Sequence, residues 1–150
     1  MPLTKKKQNL MKILFLSNKN SCRSQMAEAI LRSYKNDDLE IYSAGIDPAD
    51  HISPIARDVI TELGINFDPD IPIHYSKYEN IEFDYLITVG DGTNEELEIP
   101  SIKYKRKMHL GFHNPYKNAK SKEEIARKCR EIRDEIRTEM DYFYHKMLKQ

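Results

Sequence analysis

The chain contains no tryptophan, two cysteines, five glycines, no excess of charge of either sign and no long apolar run. Two cysteines, at positions 22 and 129 of 150, are too few and too far apart for a disulfide scaffold, and suggest a reducing compartment. The expected location is cytoplasmic. Twenty-four basic residues balance 24 acidic ones, so no global field draws in nucleic acid or a membrane surface, and partners must be selected locally. No segment approaches the roughly 18 apolar residues of a membrane span. The opening Met1 to Leu10, with Lys5-Lys6-Lys7, has the charge of a signal peptide, but the apolar stretch behind it is short and holds Lys12. Residues 1–10 therefore read as a disordered extension, and residues 11–150 as a single domain with enough apolar content for one core.

Strand-like and helix-like patterns alternate, which points to a parallel sheet flanked by helices. Lys12 to Leu16 reads as the first strand. Met26, Ile30 and Tyr34 then form one helical stripe, with Ala27 and Leu31 beside it. Glu40 to Ser43 is expected as the second strand. Ser53-Pro54 supplies a cap and a first turn for a helix carrying Ile55, Val59, Ile60 and Leu63, with Gly64 as its stop. Asp84 to Val89 reads as the third strand and Lys107-Met108-His109 as a short fourth. Ser121-Lys122-Glu123-Glu124 is a capping box opening a last helix whose stripe runs Ile125, Cys129, Ile132, Ile136, Met140, Phe143, Met147.

The segment with most chemical content is Ser17-Asn18-Lys19-Asn20-Ser21-Cys22-Arg23-Ser24, between the first strand and the first helix. A helix start leaves about four backbone N–H groups without partners and carries partial positive charge, so a loop leading into it can wrap an oxyanion. Arg23 adds a planar fork of donors suited to two oxygens of a tetrahedral anion. Ser24 can cap the helix or donate to the first residue of the loop.

This segment resembles the oxyanion loop of the low-molecular-weight protein tyrosine phosphatases and the thioredoxin-coupled arsenate reductases, whose pattern is Cys-x5-Arg-Ser. Here it is Ser-x5-Arg-Ser. The resemblance continues through Ile41-Tyr42-Ser43-Ala44-Gly45, Phe83 to Val89, His109-Leu110-Gly111-Phe112-His113-Asn114-Pro115 and Arg133-Asp134-Glu135-Ile136, and so covers nearly the whole chain from Met11. It implies an α/β three-layer sandwich, a four-stranded parallel sheet flanked by helices. It also implies an oxyanion site made of Ser17, Asn18, Lys19, Asn20, Ser21, Cys22, Arg23 and Ser24.

The same comparison shows losses. The nucleophilic cysteine is Ser17, the two further redox cysteines of the reductases correspond to Gly90 and Leu97, and the general-acid aspartate before proline is Asn114. A loop thiolate is stabilised by the helix start and the arginine, with a pKa lowered from about 8.5 to roughly 3.5–7.5. A serine hydroxyl needs an adjacent base, and none is evident in sequence. Asn114 cannot protonate a leaving group, and Gly90 and Leu97 cannot form a disulfide. No catalytic residue is therefore assigned. One engineered trap at Ser17 would leave the other three changes unexplained, so natural loss is the simpler account. Lys19 replaces a usual glycine; if that position needs positive φ the loop is reshaped, and otherwise the ammonium adds to the anion field.

Cys129 lies on an apolar stripe and reads as core. Cys22, beside Arg23, reads as inherited packing, with an oxidisable thiol as the competing reading. His109 and His113 are separated by Gly111 and lack companion ligands, so no metal is expected. Tyr75, Tyr78, Tyr104 and Tyr116 read as half-buried packing residues. The expectation is a catalytically impaired relative that binds phosphate, sulfate, arsenate or a phosphorylated protein, with no cofactor, no nucleic acid and no membrane partner. The alternatives are an active phosphatase or reductase with an unconventional nucleophile, and an interaction module with a vestigial loop. The sequence does not indicate an oligomeric state.

Overall fold

A computed structural model describes residues 10–67, 71–90 and 101–148. The expected disordered extension, apart from its last residue, and Leu97 lie outside the described residues. Four strands, β1 (Met11–Ser17), β2 (Leu39–Gly45), β3 (Glu82–Gly90) and β4 (Lys103–Gly111), form one parallel sheet in the order β2-β1-β3-β4. Three α-helices follow the sequence order: α1 (Arg23–Arg32), α2 (Pro54–Thr61) and α3 (Lys122–Phe143). This is the α/β architecture the alternating pattern implied.

Side-chain alternation along β1 sends Ile13 and Phe15 into a large core with α1, α2 and α3, and Leu14 and Leu16 into a smaller one on the opposite face. The smaller core holds Ala44, Phe83, Leu86 and Ile102, closed by a 3₁₀ turn (Tyr75–Tyr78). Phe83 there meets Tyr42 and Tyr78 edge-on. β1 is buried on both faces, which is why its sequence is a continuous apolar run rather than an alternating one.

The helix ends follow the sequence signals. The Ser53 hydroxyl accepts from Ala56 N–H and Pro54 opens α2; the Ser121 hydroxyl accepts from Glu124 N–H and opens α3. α2 is clamped to α3 by Arg133, whose guanidinium, nearly buried, donates to Val59 O at 2.9 Å and to Glu62 at 2.8 Å. Arg130 also pairs with Glu62, and these two cations hold its carboxyl below the usual carboxylate range.

Two expectations need correction. β4 is far longer than three residues: its first half, Lys103-Tyr104-Lys105-Arg106, is exposed along the sheet edge, so it pairs with β3 without an apolar signature. The stripe of α3 holds from Cys129 to Phe143 but not at Met147, which is exposed. The chain passes into a π-helical turn (Tyr144–Leu148), whose wider repeat rotates Tyr144 inward instead. Tyr144 stacks on Tyr34 with ring centroids 4.1 Å apart.

Candidate functional site

The loop between β1 and α1 sits at the C-terminal edge of the sheet, and its backbone is held from outside. The chain leaving β2 runs alongside it: Ile46 N–H donates to Ser17 O at 3.1 Å, Asp47 N–H to Asn18 O at 2.8 Å, Ala49 N–H to Lys19 O at 3.0 Å and Ser53 N–H to Ser21 O at 2.8 Å. These bonds turn four loop carbonyls toward the β2–α2 connection. Gly45 makes the approach feasible, since a Cβ there would lie 2.9 Å from Asn18 O and 3.1 Å from the Asn20 Cβ. No feature of the motif itself revealed Gly45 as part of the site.

Asn20 is the hub. It is 1% exposed and has φ 53°, a left-handed conformation that asparagine tolerates better than most residues. Its backbone N–H donates to Ser17 Oγ at 2.9 Å and its Nδ2 to Ser24 Oγ at 3.0 Å. Its Oδ1 accepts from Ile73 N–H at 3.0 Å and from Gln25 Nε2 at 3.1 Å. The positive-φ position is thus residue 20, not Lys19. Lys19 is exposed and paired with Asp47, whose carboxyl it holds below its ordinary range. The lysine neither strains the loop at its own position nor stands as an unpaired ammonium beside it.

Ser17 and Ser24 are both buried, with their hydroxyl oxygens 2.8 Å apart. Ser24 lies in the first turn of α1 and bonds the first loop residue; Cys22 occupies the N-cap position, without a side-chain cap bond. The hydroxyl pair can be counted. Ser17 accepts from Asn20 N–H and Ser24 accepts from Asn20 Nδ2, and one further hydrogen joins the two oxygens. Two hydroxyls bring two hydrogens, so one remains for an additional acceptor whichever serine donates. Neither bonded partner of Ser17 is a base.

Arg23 reaches away from the loop, its Nη1 donating to Phe112 O at 2.8 Å. This ties the loop to the β4–α3 connection, where Asn114 sits half-buried. Asn114 Oδ1 accepts from Tyr116 N–H at 3.0 Å and its carbonyl from Lys117 N–H at 3.1 Å, so the side chain serves its own turn. The Tyr116 hydroxyl bonds Ser53 Oγ at the start of α2, and burial raises the phenol pKa. Tyr116 acts as a strut rather than a pocket rim, whereas Tyr75 and Tyr78 pack under the second face and Tyr104 is exposed.

Gly90 ends β3, and its carbonyl accepts from Phe112 N–H at 2.8 Å. Among the described residues a Cβ there would meet only the His109 ring, at 3.6 Å, an ordinary contact. His109 Nδ1 bonds Thr88 Oγ1 at 2.7 Å, while its buried Nε2 has no partner among the described residues. No group of three or more potential metal ligands occurs among the described residues, and none of the described helices is long and apolar enough to cross a membrane.

Cys22 and Cys129 are both buried in the large core. The neighbouring Cys129 and burial push the Cys22 thiol well up, against a smaller opposing pull from Arg23. The sequence reading placed Cys129 in the core and read Cys22 as inherited packing with an oxidisable thiol as the alternative; both are buried.

A parallel sheet in the order β2-β1-β3-β4, with the strand–loop–helix turn after β1 held by the chain leaving β2, defines an α/β protein with a candidate anion loop at the C-terminal edge of its sheet. A family model for the low molecular weight phosphotyrosine protein phosphatases matches residues 12–150. The arsenate reductase of Shouchella clausii is 35% identical over 126 residues, covering 83% of this chain and 88% of its own. Arsenate reductase 2 of Staphylococcus epidermidis is 35% identical over 137 residues, 87% of this chain and 94% of its own. Among solved structures, an arsenate reductase in the phosphate binding state matches with a TM-score of 0.72 at 20% identity, over 92% of this chain and 99% of that one, a likeness of fold. The chain belongs to the low-molecular-weight phosphotyrosine protein phosphatase family and has arsenate reductases among its relatives.

Proposed function

We propose that the loop Ser17–Ser24 binds a tetrahedral oxyanion, either free phosphate, sulfate or arsenate or the phosphate of a phosphorylated protein, and that the family's bond-breaking chemistry is impaired. The observation that carries this reading is the hydroxyl pair Ser17–Ser24. It lies on a backbone fixed by Asn20 and the β2–α2 connection, with one donor hydrogen remaining and no base in contact. Such a loop can offer hydrogen bonds to an anion but has no means of generating an alkoxide. Asn114 offers an amide where a leaving group would need a proton. The buried Cys22 thiol, raised in pKa, is poorly suited to attack.

Arg23, one of whose nitrogens bonds Phe112 O, completes the site with a planar fork of donors that bonds a charged oxyanion strongly. Calorimetric titration with phosphate and with arsenate tests the reading. Saturable binding is expected, weakened roughly 10-fold or more in Arg23→Ala, in line with a lost hydrogen bond to a charged group. Absence of binding at millimolar anion would leave an interaction module with a vestigial loop. Unchanged affinity in Arg23→Ala would place the anion elsewhere. The family's own location and any phosphorylated partner belong to the same proposal: a cytoplasmic protein reading phosphate rather than removing it.

A further inference from the structure

β4 is the last strand on its side of the sheet, and among the described residues it pairs with β3 alone. The parallel register decides which of its backbone groups are engaged. Gly90 lies opposite Gly111 and Leu86 opposite Lys107, and Phe112 N–H donates to Gly90 O. Even-numbered residues of β4 therefore exchange bonds with β3, and Met108 O also accepts from Thr88 Oγ1. The N–H and C=O groups of Lys103, Lys105 and Lys107 point the other way, off the open margin. Side chains along that margin are basic: Lys103, Lys105 and Arg106 are exposed, Lys107 is half-buried, and no carboxylate occurs between residues 101 and 112. Two carboxylates on β3, Glu82 opposite Lys103 and Asp84 at 3.4 Å from Lys105, offset only part of this charge. Strand alternation puts Lys105 and Lys107 on one face and Arg106 and Met108 on the other. On that second face Arg106 lies over the Tyr85 ring and Met108 packs against the large core.

We infer that the outer edge of β4 is a docking strand for an extended segment of a partner protein in which acidic and apolar residues alternate. The backbone of that segment continues the sheet through the outward groups of Lys105 and Lys107. Its acidic side chains stand beside these two lysines, and its apolar ones beside Met108 and the stem of Arg106. Opposite charges side by side on adjacent strands stabilise a pairing and like charges oppose it, so the charge of this margin selects an acidic occupant over a second copy of the same strand. A single-stranded nucleic acid fits less well, because such strands are held by successive stacked bases and Tyr104 is the only tyrosine, phenylalanine or tryptophan of β4. The inference does not depend on whether the loop Ser17–Ser24 holds an anion.

The test titrates the full chain, in dilute buffer, into a fluorescently labelled, end-capped heptapeptide of alternating glutamate and valine, with anisotropy as the readout and amide hydrogen exchange mapped along β4. Saturable binding is expected, with slowed exchange at the Lys105 and Lys107 amides. Affinity should fall roughly 10-fold or more in the Lys103→Glu/Lys105→Glu double variant, where attractive cross-strand pairs become repulsive. The same peptide methylated at every backbone nitrogen keeps its charge and should not bind. Binding that survives methylation, protection confined to other elements, or no binding at millimolar peptide would each overturn the inference. So would an oligothymidylate that binds where the peptide does not, or a dimer joined through β4 in the same buffer. The methylated peptide and the exchange map decide it even if the double variant does not fold.

Discussion

The β1–α1 loop and the β4–α3 connection face each other across the Arg23–Phe112 bond, and they are built in opposite ways. The first is held largely by long-range contacts: the β2–α2 connection fixes its carbonyls and Ile73 grips Asn20, with Gln25 of the adjoining helix adding a local bond, and both serines and Asn20 are buried. The second is largely local, with Asn114 capping its own turn and His113, Tyr116 and Lys117 exposed; its ties to the rest include the buried Phe112 and Pro115, the Tyr116 hydroxyl and the Lys117 carbonyl, which accepts from Lys128. The contrast shows that the shape of a binding loop and the groups that react in it can be lost separately. Nothing that fixes the first loop uses the atom by which serine differs from cysteine, except two hydrogen bonds to Oγ. Nothing in the second distinguishes asparagine from aspartate as a turn cap.

The sharpest test restores both regions at once. The S17C/N114D double variant is expected to hydrolyse an aryl phosphate about 10²–10⁴ times faster than S17C alone, the usual contribution of a general acid. Equal rates in steady-state assays would mean that the second loop no longer aims a side chain at the first.

Removing the hub should have the next largest effect. Asn20→Ala strips acceptors from Ile73 N–H and Gln25 and a donor from Ser24, all in a buried setting, and should destabilise by roughly 3 kcal/mol in urea unfolding. A cost below about 1 kcal/mol would break the claim that distant contacts shape this loop. Gly45→Ala forces a Cβ against Asn18 O and should cost roughly 1–3 kcal/mol while weakening phosphate binding, because the loop must move to admit it. The smallest effect belongs to the second region. Tyr116→Phe removes one bond to Ser53 and should lower stability by about 1 kcal/mol, with phosphate affinity unchanged by calorimetry. A loss of affinity there would show that the two loops are coupled through α2.

Much of the fold was legible because its signals are local. The Ser53-Pro54 and Ser121 caps, the apolar run of β1 and the stripe of α3 each depend on neighbours in sequence. β4 was hidden because an edge strand needs only one partner and this one faces water with Lys103, Tyr104, Lys105 and Arg106. At the site, the motif exposed Ser17, Arg23 and Ser24, and the hydroxyl pairing of Ser17 and Ser24 follows the second of the two roles open to Ser24. Gly45, Ile73 and Tyr116 could not be read, because each acts across tens of residues. Lys19 could not be judged until Asp47 was found beside it.

The basic edge of β4 also bears on how the molecule behaves in a crowd. With a net charge of zero, two copies meet without long-range repulsion. An unpaired parallel strand is where they would begin to stack. The lysines and arginine along that margin place like charge against like charge at the point of first contact, a repulsion that salt screens. At this border of the sheet, resistance to strand pairing rests on a few basic residues, and concentrated salt should bring out self-association there that dilute buffer conceals.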